Sequence, residues 1–370
     1  MSLEQKELEY WVATIPVIGP AKIRSLLNYF ENENNIYNAK IDELLQVEGI
    51  NQKIADYIIN TKKEEKIKKG YKELINKKVT LITINDKQYP EKLRNIHKNP
   101  YGLFYRGNLP RENKVSIAIV GARNCSNYGK EMAYWFGRAL SEAGIQIISG
   151  MAIGVDGYAH KGAINGKTNT FAVLGNGIDI CYPRENFDLY MEIQQNGGII
   201  SEYGPGVPGR AFQFPMRNRI ISGLSDGVLV VEAREKSGSL ITADLALEQG
   251  KEVFAIPGRI EDKLSEGCLN LIKQGGEVVS KPEDILENFH INSIKEWNKL
   301  KKNNIFLDSA EKIVYASLSL VPKHVDDIIA DTNLLISQVL SILLKMELDG
   351  FIKQTAPGYY VQSFCELMKS

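Results

Sequence analysis

The chain has 370 residues, more than a single hydrophobic core usually organises, so we expect two or three domains. Its composition, 44% hydrophobic and 24% charged, is typical of a folded globular protein and excludes a disordered chain. Basic and acidic residues balance at 45 each. This balance excludes a uniformly basic nucleic-acid binder but leaves room for a local basic patch.

The sequence offers no signal for a membrane, a metal or a disulfide. No apolar run approaches the roughly 18 residues of a membrane span, and the acidic start differs from a basic signal peptide. The four cysteines lie far apart without a CxxC pair, which argues against a zinc module and a disulfide framework. We therefore expect no membrane association, no bound metal and a location in the reducing cytoplasm.

The first segment, residues 1–78, has no convincing strand and repeats one helical pattern. A glycine-containing turn precedes an apolar-periodic helix at Gly19 and again at Gly49. The pattern resembles the helix-hairpin-helix, or SAM-like, module. Such hairpins can present backbone N–H groups to a phosphate at a helix N-terminus. The second hairpin carries Glu48 in place of a basic residue, so a helical bundle that uses glycine only to turn is the alternative.

Between residues 79 and 290 the apolar pattern changes its period. Short runs rich in branched residues alternate with helical stretches, which is the βαβ signature. We predict eight strands, at residues 79–84, 115–120, 145–149, 170–174, 198–201, 227–232, 253–256 and 278–279. The later runs are almost wholly apolar, as in strands buried on both faces of a parallel sheet. The prediction is an α/β domain with an extended Rossmann-like, doubly wound and mostly parallel sheet.

The C-terminal part predicts a linker and a third, small domain. Residues 291–305 are polar and lack a period, as a linker does, and the domain spans residues 306–370. Three helical stretches and a hairpin are predicted, at residues 309–319, 325–332, 334–349 and 351–361. This order resembles a winged helix.

A winged helix often reads DNA with its last helix in the major groove. Here that helix offers one base, Lys345, against Glu347 and Asp349. A protein contact or a purely structural role is therefore favoured over the reading of a groove.

In sheets of this type ligands bind at the carboxyl ends of the strands, so we examined the turns there. The first turn follows Val120. Gly121 permits a tight exit from the strand, and Arg123 and Ser126 can donate to an oxyanion at the next helix N-terminus. The turn is not GxGxxG, so the dinucleotide fingerprint is absent.

The second turn is rich in glycine. Gly150 and Gly154 would let the backbone approach a phosphate closely. Asp156 follows as a candidate site residue, and helix capping alone is its alternative role. His160 is most simply a packing histidine.

The third and fourth turns supply cations and an aromatic ring. Arg184 belongs to the third turn, and the fourth carries Phe214, Arg217, Asn218 and Arg219. Arginine forks bind phosphates and aromatic rings can stack on bases, so this combination is typical of a groove for single-stranded nucleic acid.

The fifth turn opens a helix with Ser237, Gly238 and Ser239, which is again an anion cradle. Five such turns at one sheet edge are stronger together than any one alone. No P-loop, HExxH, GxSxG or defensible nucleophile–base pair occurs, so no catalytic residue is predicted.

Seven sequence blocks resemble, in order and spacing, the DprA/Smf DNA-processing proteins. The blocks are VGAR with SNYG (120–129), SGMAIGVD with AH (149–160), AVLGNGID with YP (172–183), SEY (201–203), FPMRNRI (214–220), VEA with SGSLITA (231–243) and AIPG (255–258). The match spans residues 80–290, and the two end segments match the longer family architecture less sharply.

The resemblance implies a cytoplasmic, non-enzymatic protein that binds single-stranded DNA without a cofactor. Its expected role is in natural transformation, where it protects incoming DNA and helps load the RecA recombinase. The alternative is a nucleotide-processing enzyme of the phosphoribohydrolase type on a related fold, but the SGSLITA block lacks that class's PGG…GT…E pattern. A protein-interaction adaptor with a vestigial pocket is a third option.

The resemblance also implies a homodimer formed through the Rossmann-like domain. Residues 265–274 and 278–286 supply apolar side chains for such a surface. Packing of these side chains on their own sheet is the alternative.

Overall fold

The computed structural model describes residues 3–16, 18–291, 308–319 and 321–362. The predicted linker lies outside the described residues from residue 292 onward, as do residues 363–370.

The N-terminal segment is helical, as expected. Its helices are α1 Gln5–Ala13, α2 Pro20–Phe30, α3 Glu33–Asn38, α4 Ile41–Leu44, α5 Gln52–Thr61 and α6 Glu64–Asn76. Pro20 occupies the first position of α2, where no backbone N–H is needed. The Asn51 side chain caps α5 by accepting a hydrogen bond from the Ile54 N–H at 3.0 Å.

This helical segment packs directly on the sheet domain. The buried carboxylate of Glu33 accepts hydrogen bonds from Tyr101 Oη at 2.7 Å, Gln5 Nε2 at 2.8 Å and Asn85 Nδ2 at 3.2 Å. Leu74 belongs to the same apolar cluster as Phe104. Residue 78 therefore separates two sequence patterns but not two independent cores.

In the described residues nine strands form the main sheet. They are β1 Thr80–Thr83, β2 Gly102–Gly107, β3 Ser116–Val120, β4 Gln146–Ser149, β5 Thr170–Leu174, β6 Gly197–Ser201, β7 Gly227–Val230, β8 Glu252–Ala255 and β9 Glu277–Val278. Their order is β1-β2-β6-β5-β4-β3-β7-β8-β9. β2 pairs antiparallel with both neighbours, and the strands from β6 to β9 are parallel. The mostly parallel sheet is confirmed, and β2 was not predicted.

Helices cover both faces of the sheet. They are α7 Glu91–Arg94, α8 Asn127–Glu142, α9 Val155–Ile164, α10 Phe187–Asn196, α11 Gln213–Leu224, α12 Gly238–Glu248, α13 Glu266–Lys273 and α14 Pro282–Asn288. Within β3, Ile117 and Ile119 join one apolar cluster, whereas Ala118 and Val120 join the other. This alternation is the period of a strand buried on both faces.

The C-terminal segment forms a small separate fold. Its elements are α15 Ser309–Ser317, β10 Lys323–His324, α16 Val325–Thr332, α17 Ile336–Leu348, β11 Ile352–Ala356 and β12 Tyr359–Gln362. The strands form an antiparallel sheet in the order β10-β12-β11. The predicted helices and hairpin of a winged helix are confirmed, with β10 added.

Helix α17 presents a row of aliphatic side chains to solvent. Ile336, Leu340, Leu344 and Leu348 are exposed at intervals of four residues. The ammonium group of Lys345 is bound to the buried carboxylate of Glu311. Its only predicted base is therefore engaged within the fold, in keeping with a structural or protein-contact role.

No single helix in the described ranges is long and apolar enough to cross a membrane. Helices α16 and α17 would qualify together by length and composition alone, but they are bent by 115° relative to each other.

Candidate functional site

A pocket of about 680 Å³ opens at the carboxyl edge of the main sheet. The turns after the neighbouring strands β3 and β7 contribute to its lining. From β3 the chain continues to β4 on one side, and from β7 it continues to β8 on the other side. This is the topological switch point, where ligands bind in doubly wound folds. Nine of the predicted site residues line the pocket: Gly121, Arg123, Asp156, Phe214, Arg217, Asn218, Ser237, Gly238 and Ser239.

The turn after β3 supplies an exposed cation. The guanidinium carbon of Arg123 lies 5.7 Å from the centre of the Phe214 ring, which is a cation–π distance. Ser126 lies further along the turn but does not line the pocket. Its hydroxyl donates to Glu232 and accepts from the Gly129 N–H at 3.0 Å. The structure therefore brings Arg123 to the pocket and engages Ser126 within the protein.

The turn after β4 forms the floor. Gly154 has a φ of +78°, and a Cβ there would lie 2.3 Å from the Arg123 carbonyl oxygen, so the close contact of the two turns requires glycine. The buried Asp156 carboxylate accepts from the Gly150 N–H at 3.1 Å and from the Ala152 N–H at 3.4 Å. Burial raises the pKa of Asp156. Gly150 and Gly154 belong to this turn but do not line the pocket themselves.

The predicted fourth turn is instead a helix, α11. Phe214, Arg217, Asn218 and Ile221 line the pocket, and their spacing of three and four residues is one helix face. The loop interpretation of this segment is thus corrected. Arg219 lies on another face of α11 and does not line the pocket.

Arg217 is a buried cation at the pocket wall. Its Nη1 donates to the Val173 carbonyl at 3.0 Å, and its Nε has no partner in the described residues. Burial lowers the pKa of Arg217 to about 10, while the nearby Asp156 opposes that shift. The group stays charged at neutral pH, and its unpartnered Nε is itself buried.

Arg219 does not reach the pocket. It is 4% exposed, and its Nη2 donates to both carboxylate oxygens of Glu202 at 2.7 Å. It is absent from the pocket lining. The expectation that it faces a bound strand loses its geometric basis, because the helix turns this side chain inward.

Arg184 lies beside the pocket rather than in it. It is exposed on a short 3₁₀ turn, Arg184–Asn186, two residues beyond Tyr182. The Tyr182 ring lines the pocket, with its centre 5.5 Å from that of Phe214. We call these two rings the aromatic platform. Phe214 was among the predicted site residues, and Tyr182 was not.

The turn before α12 completes the wall. The Ser237 side chain caps α12 by accepting from the Ser239 N–H at 3.4 Å, and the two hydroxyl groups are 2.8 Å apart. The positive end of the helix dipole faces the pocket here. Arg234 and Lys236, which the sequence analysis missed, also line the pocket from this turn. Both residues lie between the end of β7 and the start of α12, and this position at the carboxyl end of a strand could have identified them as site residues.

The charges of the lining favour an anion. The lining contains four basic side chains and a single carboxylate, Asp156. The basic residues are Arg123, Arg217, Arg234 and Lys236. No group of His, Cys, Asp and Glu side chains that could hold a metal occurs in the described part of the chain. The pocket can therefore bind phosphate oxygens through cations and helix N–H groups, and stack a flat ring on its aromatic platform.

Comparisons with known proteins agree with this architecture. The family model for DNA recombination-mediator protein A matches residues 80–290, more than half of the chain. The DprA winged helix domain matches residues 303–358, and a SAM-like helix-hairpin-helix tandem matches residues 12–64.

Individual relatives extend the match. Protein Smf of Escherichia coli K12 is 40% identical over 290 residues, which cover 76% of this chain and 77% of that protein. The structure of DprA from Streptococcus pneumoniae superposes with a TM-score of 0.68 at 35% identity, covering 78% of this chain and 98% of that one. A structure describing the single-stranded DNA binding mode of DNA processing protein A from Helicobacter pylori gives a TM-score of 0.52 at 28% identity, covering 57% and 95%. The chain belongs to the DprA/Smf family of DNA-processing proteins.

Proposed function

We propose that this protein binds single-stranded DNA in the pocket at the carboxyl edge of the sheet and catalyses no reaction there. In this proposal it acts as a cytoplasmic recombination mediator in transformation, protecting incoming strands and helping to load the RecA recombinase. The observation that carries the proposal is the combination of four cations, a capped helix N-terminus and an aromatic platform in one pocket.

The proposed contacts divide by chemistry. Arg123 and Arg217, with the N–H groups at Gly238 and Ser239, bind phosphate oxygens, and Arg234 and Lys236 add positive charge at the same wall. Phe214 and Tyr182 stack on bases. Phosphate contacts and stacking carry no base code, so the sequence preference is weak.

The remaining predicted site residues take indirect roles in this proposal. Gly121 and Gly154 let the turns approach each other, and Gly150 leaves room for the Arg217 guanidinium. Asp156 fixes the floor through two backbone N–H groups. Arg184 is an outlying contact for a strand that leaves the pocket. Arg219 is left out because it is buried away from the pocket and its Nη2 is bound to Glu202.

The relatives support the same proposal. The Helicobacter pylori protein is described with a single-stranded DNA binding mode, and the matching family model is described as a recombination mediator. The nucleotide-processing alternative would need an acid or nucleophile beside the bound sugar. In the described pocket lining the one carboxylate is Asp156, and two backbone N–H groups already bind it.

A binding experiment separates the alternatives. Fluorescence anisotropy with a labelled oligothymidine and a matched duplex, at several salt concentrations, runs beside an assay for base release from nucleoside monophosphates. We expect tighter binding of the single strand and no base release. Arg123→Ala reduces the salt slope by about 0.7, the loss of one phosphate contact. Base release without strand binding would favour the enzyme, and neither activity would favour the adaptor.

We also propose that the protein acts as a homodimer, because two linked sites raise affinity for a strand without a new type of contact. Within the segments expected to form the dimer surface, most apolar side chains pack on their own domain, which is the alternative given for them. Cys268, Leu271 and Ile285 are buried in the core of their own domain, and Val278 is the apolar side chain of this region that is half exposed. Light scattering over a concentration series tests the dimer. A particle that stays at 41.5 kDa throughout would contradict it.

A further inference from the structure

Both ends of the turn that carries Arg123 are held by one residue, Glu232. The Ala122 N–H donates to the Glu232 carbonyl oxygen at 2.7 Å. The Ser126 N–H donates to Glu232 Oε2 at 2.8 Å, and the Ser126 hydroxyl donates to Oε1. A residue just beyond β7 thus fixes the turn beyond the neighbouring strand, β3, through its main chain and its side chain together.

The Glu232 carboxylate packs closely against Gly129 of the neighbouring helix. A Cβ at Gly129, in the first turn of α8, would lie 2.3 Å from Glu232 Oε2, so a larger residue there would have to displace the carboxylate. Glu232 is 3% exposed and does not line the pocket, so it cannot touch a ligand there.

The charge of Glu232 is balanced by hydrogen bonds rather than by a cation. No ion pair to Glu232 occurs within the described ranges, and the carboxylate faces the positive end of α8. Burial raises its pKa, while the hydrogen bonds from Ser126 oppose that rise. A buried carboxylate at this position carries a desolvation penalty, and its bonds are directed at the Arg123 turn.

We propose that Glu232 is a positioning residue for DNA binding, which holds the Arg123 turn so that the exposed guanidinium stands over Phe214 at the pocket mouth. The inference rests on the proposed function. It also gives Ser126 a role, since this residue is the link between Glu232 and the turn rather than a phosphate ligand.

The test is a double-mutant cycle on oligothymidine binding with the full chain. Arg123→Ala is expected to weaken binding roughly tenfold, the effect of one charge-assisted hydrogen bond, and to reduce the salt slope by about 0.7. Glu232→Ala releases the turn and produces the same two changes. The double variant binds at most about twofold more weakly than either single variant, because both substitutions remove the same phosphate contact.

A conservative variant and a matched control complete the experiment. Glu232→Gln keeps an acceptor for the Ser126 N–H and reverses the second bond, since its amide donates to the Ser126 hydroxyl oxygen, so its affinity stays within about threefold of wild type. Asp226→Ala is the control: Asp226 accepts the Ser116 N–H at 2.8 Å between the same two strands, but at their opposite ends. It should lower stability and leave the salt slope unchanged.

Thermal melting followed by circular dichroism shows which variants are folded. If Glu232→Ala does not fold, Ser126→Ala replaces it, with a loss of roughly threefold that disappears in the Arg123→Ala background. Wild-type affinity and slope for a folded Glu232→Ala, or losses that multiply in the double variant, would overturn the positioning role. If Arg123→Ala itself leaves binding unchanged, the proposed DNA site fails instead.

Discussion

Two arginines of α11, two positions apart, have opposite surroundings. Successive residues are about 100° apart around a helix, so Arg217 and Arg219 point in directions roughly 200° apart. Arg217 lines the pocket, whereas Arg219 does not and donates from Nη2 to Glu202. The same residue type at nearly the same position therefore serves the site in one case and the fold in the other.

Arg219→Ala should act on stability and not on the phosphate contact. Removing the guanidinium leaves the largely buried Glu202 carboxylate, 15% exposed, without its ion pair, and burial already raises the pKa of Glu202. We expect the free energy of unfolding to fall by about 3–5 kcal/mol and the salt slope of DNA binding to stay unchanged. Urea denaturation and anisotropy measure these effects. The exposed Arg210→Ala is the control, with stability within about 0.5 kcal/mol of wild type. A reduced slope at full stability would return Arg219 to the binding site.

His160 should make stability fall in acid. It is fully buried, and its Nδ1 lies 2.7 Å from Thr170 Oγ1, which itself donates to the Ile147 carbonyl, so the neutral ring donates from Nδ1. Burial, assisted by the charge of Arg217, lowers the pKa of His160 to about 3 from an ordinary 6.5. Above pH 6.5 both states are neutral and the stabilisation is complete.

Below pH 6.5 His160 is protonated in the unfolded chain but stays neutral in the folded chain. The contribution of His160 is therefore lost as pH falls from 6.5 towards 3, at about 1.4 kcal/mol per pH unit. The difference between wild type and His160→Gln isolates this slope from the buried carboxylates, whose raised pKa values act in the opposite direction. Urea unfolding at pH 7, 6 and 5 measures it, and parallel curves for the two proteins would contradict the assignment.

At the scale of elements, the periodic helices and buried parallel strands were predictable, and α11 and β2 were not. Phe214, Arg217 and Asn218 have helical spacing, but the segment was interpreted as a turn because of its arginines and aromatic ring. Pro215 is the third residue of α11, where the missing N–H removes no intrahelical bond. β2 pairs antiparallel near the edge of the sheet, so it falls outside the βαβ rhythm that identified the other strands.

The aromatic platform gives the prediction for α11. Phe214→Ala removes the ring that contacts both Arg123 and Tyr182, so single-strand affinity should fall by about 1–3 kcal/mol, the loss of one stacked base. Phe212→Ala is the control, because this ring precedes α11, is 61% exposed and does not line the pocket. Anisotropy with oligothymidine compares the two. Equal losses would show that stacking is not confined to the pocket.

At the scale of the whole molecule, the two ends of the chain are attached differently. The N-terminal helices share apolar clusters with the sheet domain, through Tyr101 in one cluster and through Leu74 and Phe104 in another. The cluster of the winged helix contains residues between 314 and 360 only, within the described ranges. The sequence pattern predicted a domain boundary at both ends of the sheet domain. A change in the spacing of apolar residues marks a new type of element, but it does not show whether two segments share a hydrophobic core.

Removal of residues 1–78 should therefore destabilise the sheet domain, whereas removal of residues 292–370 should not. The first truncation exposes Leu81, Tyr101 and Phe104, and uncovering side chains of this size costs on the order of 5 kcal/mol in total. It also deprives the Tyr101 hydroxyl of Glu33, its buried acceptor. The second truncation leaves the apolar clusters on both faces of the main sheet complete. Thermal unfolding of the two truncated proteins beside the full chain decides the matter, and equal melting temperatures for all three would contradict the shared core.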